Sequence, residues 1–138
     1  LIRDKGHEYG TVTGRPRRTG WFDAVILRYA VRVNGLTQLA VNKLDTLAGV
    51  GDLKVCTAYR LPDGTLLNEY PECLEVLADC EPVYETIPGF TEDISGCRSF
   101  DELPASCRSY IAELERLCGC RITMVGVGPG RDQNLVRE

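Results

Sequence analysis

Two periodicities divide the chain. In WFDAVILRYAVRVNG, the apolar residues Trp21, Phe22, Val25, Ile26, Tyr29, Ala30 and Val33 fall mostly at helical spacing. Thr19 is placed to cap that helix and Gly35 to end it. PASCRSYIAELERLCG (104–119) carries the clearest helical stripe: Tyr110, Ile111, Leu114, Leu117 and Cys118, with Gly119 as the stop. TQLAV (37–41) is short, apolar and β-branched, and predicts a buried strand. KVCTAYRL (54–61) and TLLNEY (65–70) flank Pro62-Asp63-Gly64, the signature of a hairpin. PECLEVLAD (71–79) predicts a short helix with Pro71 in its first turn. PVYETI (82–87) and RITMVGV (121–127) predict further strands, the second running into GPGRDQ. Residues 6–20, rich in glycine and arginine, read as a structured surface loop. Helix followed by strand, twice, predicts an α/β fold. Such folds bind ligands at the carboxyl ends of their strands, where both NKLD (42–45) and GVGPG (126–130) fall.

Composition narrows the class. With 138 residues, 43% hydrophobic and 26% charged, the chain has the size and balance of one globular domain. A net charge of −4 and a pI near 5.1 argue against coating nucleic acid. No apolar run approaches the roughly 18 residues of a membrane span, and the charged opening LIRDKGHEYG has no apolar core of a secretory signal. The chain begins at Leu1, and its one methionine is Met124. The ligand-rich opening also has no element before it to position it, so the sequence reads as part of a longer protein. The seven cysteines contain no C-x-x-C pair, and the one histidine, His7, is remote, so spacing offers no zinc-ligand set. Small buried thiols are the expectation.

Two stretches carry candidate chemistry. Guanine presents adjacent donors, N1–H and the exocyclic amine, and one carboxylate can accept both. Adenine offers no such pair on that edge and would leave an aspartate there unpaired. A lysine two positions earlier can lay its aliphatic stem along the purine face. Asn42-Lys43-Leu44-Asp45 therefore suits a guanine reader, although Asn and Asp also simply punctuate strand ends. In TVTGRPRR, Arg15, Arg17 and Arg18 place three guanidinium forks within four residues, matched to carboxylate and phosphate oxygens. Pro16 limits how they splay, Gly14 permits close approach, and Thr11 and Thr13 supply hydroxyls. An anionic substrate, a solvated basic turn and a nucleic-acid patch all remain open for this loop.

Taken together, GTVTGRPRRTGWFDAVILRYAVRVNG, VNKLD, KVCTAYRLPDG, PVYETIPGF, EDISGCRSFDELP and VGPGRDQ resemble adenylosuccinate synthetase, in that family's order, over essentially the whole chain. The resemblance is to the C-terminal third of that enzyme. It implies the C-terminal part of a mostly parallel-sheet α/β nucleotide-binding enzyme with a small β-hairpin. The implied reaction joins IMP and L-aspartate with GTP hydrolysis and Mg²⁺, the committed step toward AMP. In the family an aspartate removes the purine N1 proton, oxygen 6 attacks the γ-phosphate, and the amino group of L-aspartate displaces the phosphate. The family's phosphate loop, catalytic aspartate, catalytic histidine and metal ligands lie outside the matched region, so this chain alone is expected to be inactive.

By the same resemblance, Thr11, Val12, Thr13, Gly14, Arg15, Pro16 and Arg17 match the loop that closes over L-aspartate. Arg15 also matches a contact to the IMP ribose, and Arg17 one near the GTP phosphate. Lys43, Leu44 and Asp45 match the guanine reader, and Gly126, Val127 and Gly128 a second base-contacting segment. That segment often begins with serine in the family, so the contact at Gly126 would be through the backbone. Residues 1–20 thus form the arginine loop, and 37–45 and 121–130 the guanine loops. A cytoplasmic homodimer is implied for the full enzyme. The alternative reading is a stand-alone guanine-nucleotide or anion-binding module without catalysis.

Overall fold

In the computed structural model, which describes residues 1–137, a short helix α1 (Ile2–Lys5) is followed by a long connection to β1 (Phe22–Asp23) and α2 (Ala24–Asn34). Then come β2 (Gln38–Val41), a 3-10 turn at Leu44–Leu47, β3 (Leu53–Arg60), β4 (Leu66–Leu67), α3 (Leu74–Asp79) and β5 (Glu81–Ile87). A second 3-10 turn at Phe100–Glu102 leads to α4 (Ala105–Cys118), β6 (Arg121–Gly126) and β7 (Asn134–Val136).

The strands form two sheets. In the first, β5 runs antiparallel along the length of β3, from Leu53↔Ile87 to Arg60↔Glu81. The other edge of β3 takes β1 in parallel (Phe22↔Val55) and β4 in antiparallel fashion (Tyr59↔Leu67). The second sheet is ordered β2-β6-β7, with β2 parallel and β7 antiparallel to β6. The fold is mixed α/β, with parallel pairs in both sheets and the expected β3–β4 hairpin around Pro62-Asp63-Gly64.

One core joins the sheets. All five stripe residues of α4 are buried, against Leu53 and Val55 of β3 and Ile122 and Val125 of β6. Burying such side chains stabilises by roughly 1.5–3 kcal/mol each, so α4 is the element on which both sheets are assembled. Gly119 ends it in the left-handed conformation, as the sequence predicted.

Three elements differ from their sequence reading. Helix α2 begins at Ala24, not near Trp21, because Asp23 caps it and Thr19 does not. Asp23 Oδ1 accepts from Val25 N (2.9 Å) and Ile26 N (3.2 Å). Phe22 instead pairs with β3, and of the presumed stripe Ile26, Tyr29 and Val33 are exposed. Strand β2 is not buried: it is an edge strand on which Leu39 and Val41 face the core while Gln38 and Ala40 face solvent. Pro71 stands outside α3, whose flanking residue is Cys73.

Candidate functional site

The site lies where the arginine loop meets the turn after β2. The loop folds back on itself through a bridge between Tyr9 and Pro16. Gly10 N donates to Arg15 O and Gly14 N to Gly10 O, both at 2.8 Å, and Arg15 N donates to Thr13 Oγ1 at 3.3 Å. Gly14 takes a φ of 65°, the left-handed turn that glycine adopts without strain. The tip projects into solvent, with Val12 96% exposed. The Arg15 and Arg18 side chains have no hydrogen bond or ion pair among the described residues, so their forks remain open to a ligand anion.

Glu8 joins this loop to the turn. Arg17 NH1 lies 3.1 Å from Glu8 Oε2, and Lys43 Nζ pairs with Glu8 Oε1 while donating to Gly6 O at 2.7 Å. The backbone repeats the tie, with Arg17 N donating to Glu8 O at 2.9 Å. The Lys43 hydrogen bond, with that of Arg17 beside it, holds the Glu8 carboxyl below its ordinary range against a smaller opposing effect of desolvation. Between these elements opens a cleft of about 390 Å³, lined by Glu8, Arg17, Arg18, Trp21, Lys43 and Tyr110 among others. Tyr110, almost fully buried in the core, also borders the cleft, and burial raises its hydroxyl to about 12.

Lys43 sits at φ 61°, a left-handed conformation that turns the chain sharply from β2 into the 3-10 turn. The turn buries Leu44, which packs in the core, and Thr46, whose hydroxyl donates to Lys43 O. Asp45 is left with its Oδ1 buried and without a hydrogen-bond partner among the described residues. An unsatisfied buried acceptor costs roughly 1–3 kcal/mol, more for a charged group.

The third segment packs against the second. A Cβ at Gly126 would lie 3.2 Å from Asn42 Oδ1 and 3.4 Å from Lys43 N, so glycine lets the ends of β6 and β2 approach. Val127 is buried, and its N donates to Gln133 O at 2.9 Å. Gln133 also accepts from Gly130 N at 2.8 Å and donates to Ser95 O at 3.0 Å, filling the space beside Gly128.

Of the residues selected from sequence, Arg17, Arg18, Asn42, Lys43 and Leu44 line the cleft. Asp45 and Gly126, Val127 and Gly128 lie outside its lining, as do Thr11, Val12, Thr13, Gly14, Arg15 and Pro16 on the projecting loop. Sequence reading missed Glu8, Trp21 and Gln133, and took Tyr110 only as core. Arg28 and Arg32, on the neighbouring helix α2, are engaged elsewhere. Arg28 donates to the carbonyls of Leu117, Thr57 and Asn68, and Arg32 pairs with Glu69 at 3.0 Å. Four of the seven cysteines are buried thiols, while Cys73 is exposed and Cys80 and Cys97 are half-buried. Among the described residues no helix is long and apolar enough to cross a membrane.

A family model described as adenylosuccinate synthetase matches residues 1–135. The adenylosuccinate synthetase of Lactococcus lactis subsp. cremoris is 51% identical over 137 residues, which is 99% of this chain and 32% of the relative. That of Moorella thermoacetica is 54% identical over 137 residues, with the same coverage. A solved structure of fully ligated adenylosuccinate synthetase from Plasmodium falciparum superposes with a TM-score of 0.93 at 41% identity, covering 99% of this chain and 33% of that one. The chain thus spans about a third of the length of the curated relatives it matches.

Proposed function

The chain belongs to the adenylosuccinate synthetase family, and on that premise we propose that it supplies the guanine-reading and anion-gathering parts of a GTP-dependent ligase joining IMP to L-aspartate. The observation that carries the reading is the buried Oδ1 of Asp45, which has no hydrogen-bond partner among the described residues. A guanine edge offers the donors that such a carboxylate lacks. Lys43, two residues earlier, has an aliphatic stem suited to the purine face. Gly126, Val127 and Gly128 contribute backbone to the base from the adjoining strand end. Thr11 to Arg17 gather the carboxylates of L-aspartate, with Arg15 toward the IMP ribose and Arg17 toward the GTP phosphate.

Mg²⁺ belongs to the family's chemistry, but the described residues include no group of three His, Cys, Asp or Glu side chains placed to hold a metal ion. The resemblance places the family's catalytic aspartate, histidine and phosphate loop outside the matched third, so we expect this chain by itself to form no adenylosuccinate from IMP, GTP and L-aspartate. Action of the whole protein as a cytoplasmic homodimer belongs to the same proposal.

The test is a base swap. In the protein at its native length, Asp45→Asn should weaken use of GTP and improve use of XTP, because xanthine presents an acceptor where guanine has its amine. The GTP-to-XTP preference in kcat/KM should fall about tenfold or more, the worth of one mispaired polar contact. Unchanged preference would remove Asp45 from base reading.

A further inference from the structure

Among the described residues, Glu8 is the one carboxylate that faces two cations from different elements of the cleft. Arg17 comes from the arginine loop and Lys43 from the turn after β2, and both reach the same side chain. That side chain is only 20% exposed, whereas Arg17 and Lys43 are 55% and 51% exposed. The carboxylate is also fixed from its own backbone, since Glu8 N donates to Arg3 O at 2.8 Å and Glu8 O accepts from Arg17 N. One negative charge is therefore divided between two positive ones in the lining of the cleft, beside Arg18, which has no side-chain partner among the described residues.

We propose that Glu8 is a positioning residue that couples occupancy of the arginine loop to the ordering of Lys43, and so to guanine binding. The proposal rests on the reading of Lys43 and Asp45 as base-binding residues. An anion entering the cleft competes with Glu8 for the Arg17 guanidinium, which prefers a bidentate carboxylate partner. When Arg17 turns to that anion, the charge of Glu8 acts undivided on Lys43. The lysine is already held at two points, by Gly6 O and by Glu8, and the undivided charge strengthens the second of them. A lysine stem with four rotatable bonds loses most of its freedom when its end is fixed. The stem is set before the purine arrives, and a ligand meeting a preset surface binds more tightly. Two sites linked through one shared charge influence each other reciprocally.

The experiment measures GDP affinity of the native-length protein by calorimetry, with and without saturating L-aspartate. L-aspartate should tighten GDP about fivefold or more, the lower end of typical coupling between sites. In Glu8→Gln, which keeps the shape but removes the charge, that factor should fall to near one while GDP remains preferred over XDP. Lys43→Met retains a stem but has no ammonium for Glu8 to hold, and it should lose the coupling as well. It provides the reading should Glu8→Gln fold poorly. Coupling that survives in either folded variant, or none in the parent protein, overturns the role of Glu8. Loss of base preference in Asp45→Asn alongside retained coupling in Glu8→Gln would reject the Glu8 proposal alone. An Asp45→Asn protein with unaltered base preference would reject the underlying reading instead.

Discussion

Gly128 and Gln133 make a residue-scale case. A Cβ added to Gly128 would stand 2.4 Å from Gln133 Cδ and Oε1. The glutamine amide could swing away, but only by giving up its bonds with Gly130 N and Ser95 O. Gly128→Ala should therefore destabilise by about 1–3 kcal/mol, the cost of overpacking with lost hydrogen bonds. Gln133→Ala alone should lose about 1–2 kcal/mol for the same bonds. The double variant should be less unstable than the sum by about 1 kcal/mol, since the alanine then has room. Urea midpoints of the four proteins decide it, and strict additivity would mean that the two side chains do not share the space. The contrast with legible residues is instructive. Lys43 and Asp45 could be selected from spacing alone, because the chemistry of a base reader sits within four consecutive positions. Glu8 and Gln133 could not. Their partners are Lys43, 35 residues away, and Ser95, 38 residues away, and no local pattern encodes a pairing at that distance.

At the scale of elements, Asp23 joins a helix start to a strand. Its Oδ1 caps α2, and its Oδ2 accepts the Tyr59 hydroxyl of β3 at 2.6 Å. Burial and Asp23 together push the Tyr59 hydroxyl well up, so it stays a donor. Asp23→Ala should cost about 1 kcal/mol for the cap and a further 1–3 kcal/mol for the stranded hydroxyl. Asp23→Asn, which can still cap and accept, should cost less than half as much. In Asp23→Ala with Tyr59→Phe the second contribution should vanish, and thermal unfolding of the set measures it. This double duty also explains why the sequence misplaced the start of α2. An aspartate inside an apolar run looks like one polar step of a helix, and Trp21 and Phe22 extend the same rhythm backward. Only the pairing of Phe22 with Val55 shows that Phe22 belongs to a sheet. By contrast α4 was legible throughout, because its stripe is long, its stop is a glycine and one core takes the whole face.

For the whole molecule, the shared core makes its thiols report on global unfolding. Cys107 and Cys118 lie on α4 within the core that joins the two sheets, and Cys56 lies on β3 in a smaller cluster with Val25 and Tyr59. Burial pushes Cys107 up to about 12, and Cys56 and Cys118 to about 11. Each folded value exceeds the unfolded one near 9. Their contribution to stability is therefore fully present below pH 9 and is lost as pH rises through the folded values, because the unfolded chain gives up its protons first. The slope per thiol is about 1 kcal/mol per pH unit within that window. Tyrosines titrate in the same range, so the total slope alone would not identify the thiols. Cys107→Ala separates them. It should be less stable than the parent at pH 8, and the gap should shrink by about 1–2 kcal/mol by pH 10.5, since the variant has one proton fewer to lose. Urea denaturation across that range is the measurement. A gap independent of pH would mean that Cys107 reaches solvent before the core opens, and that α4 does not bind the two sheets into one cooperative unit.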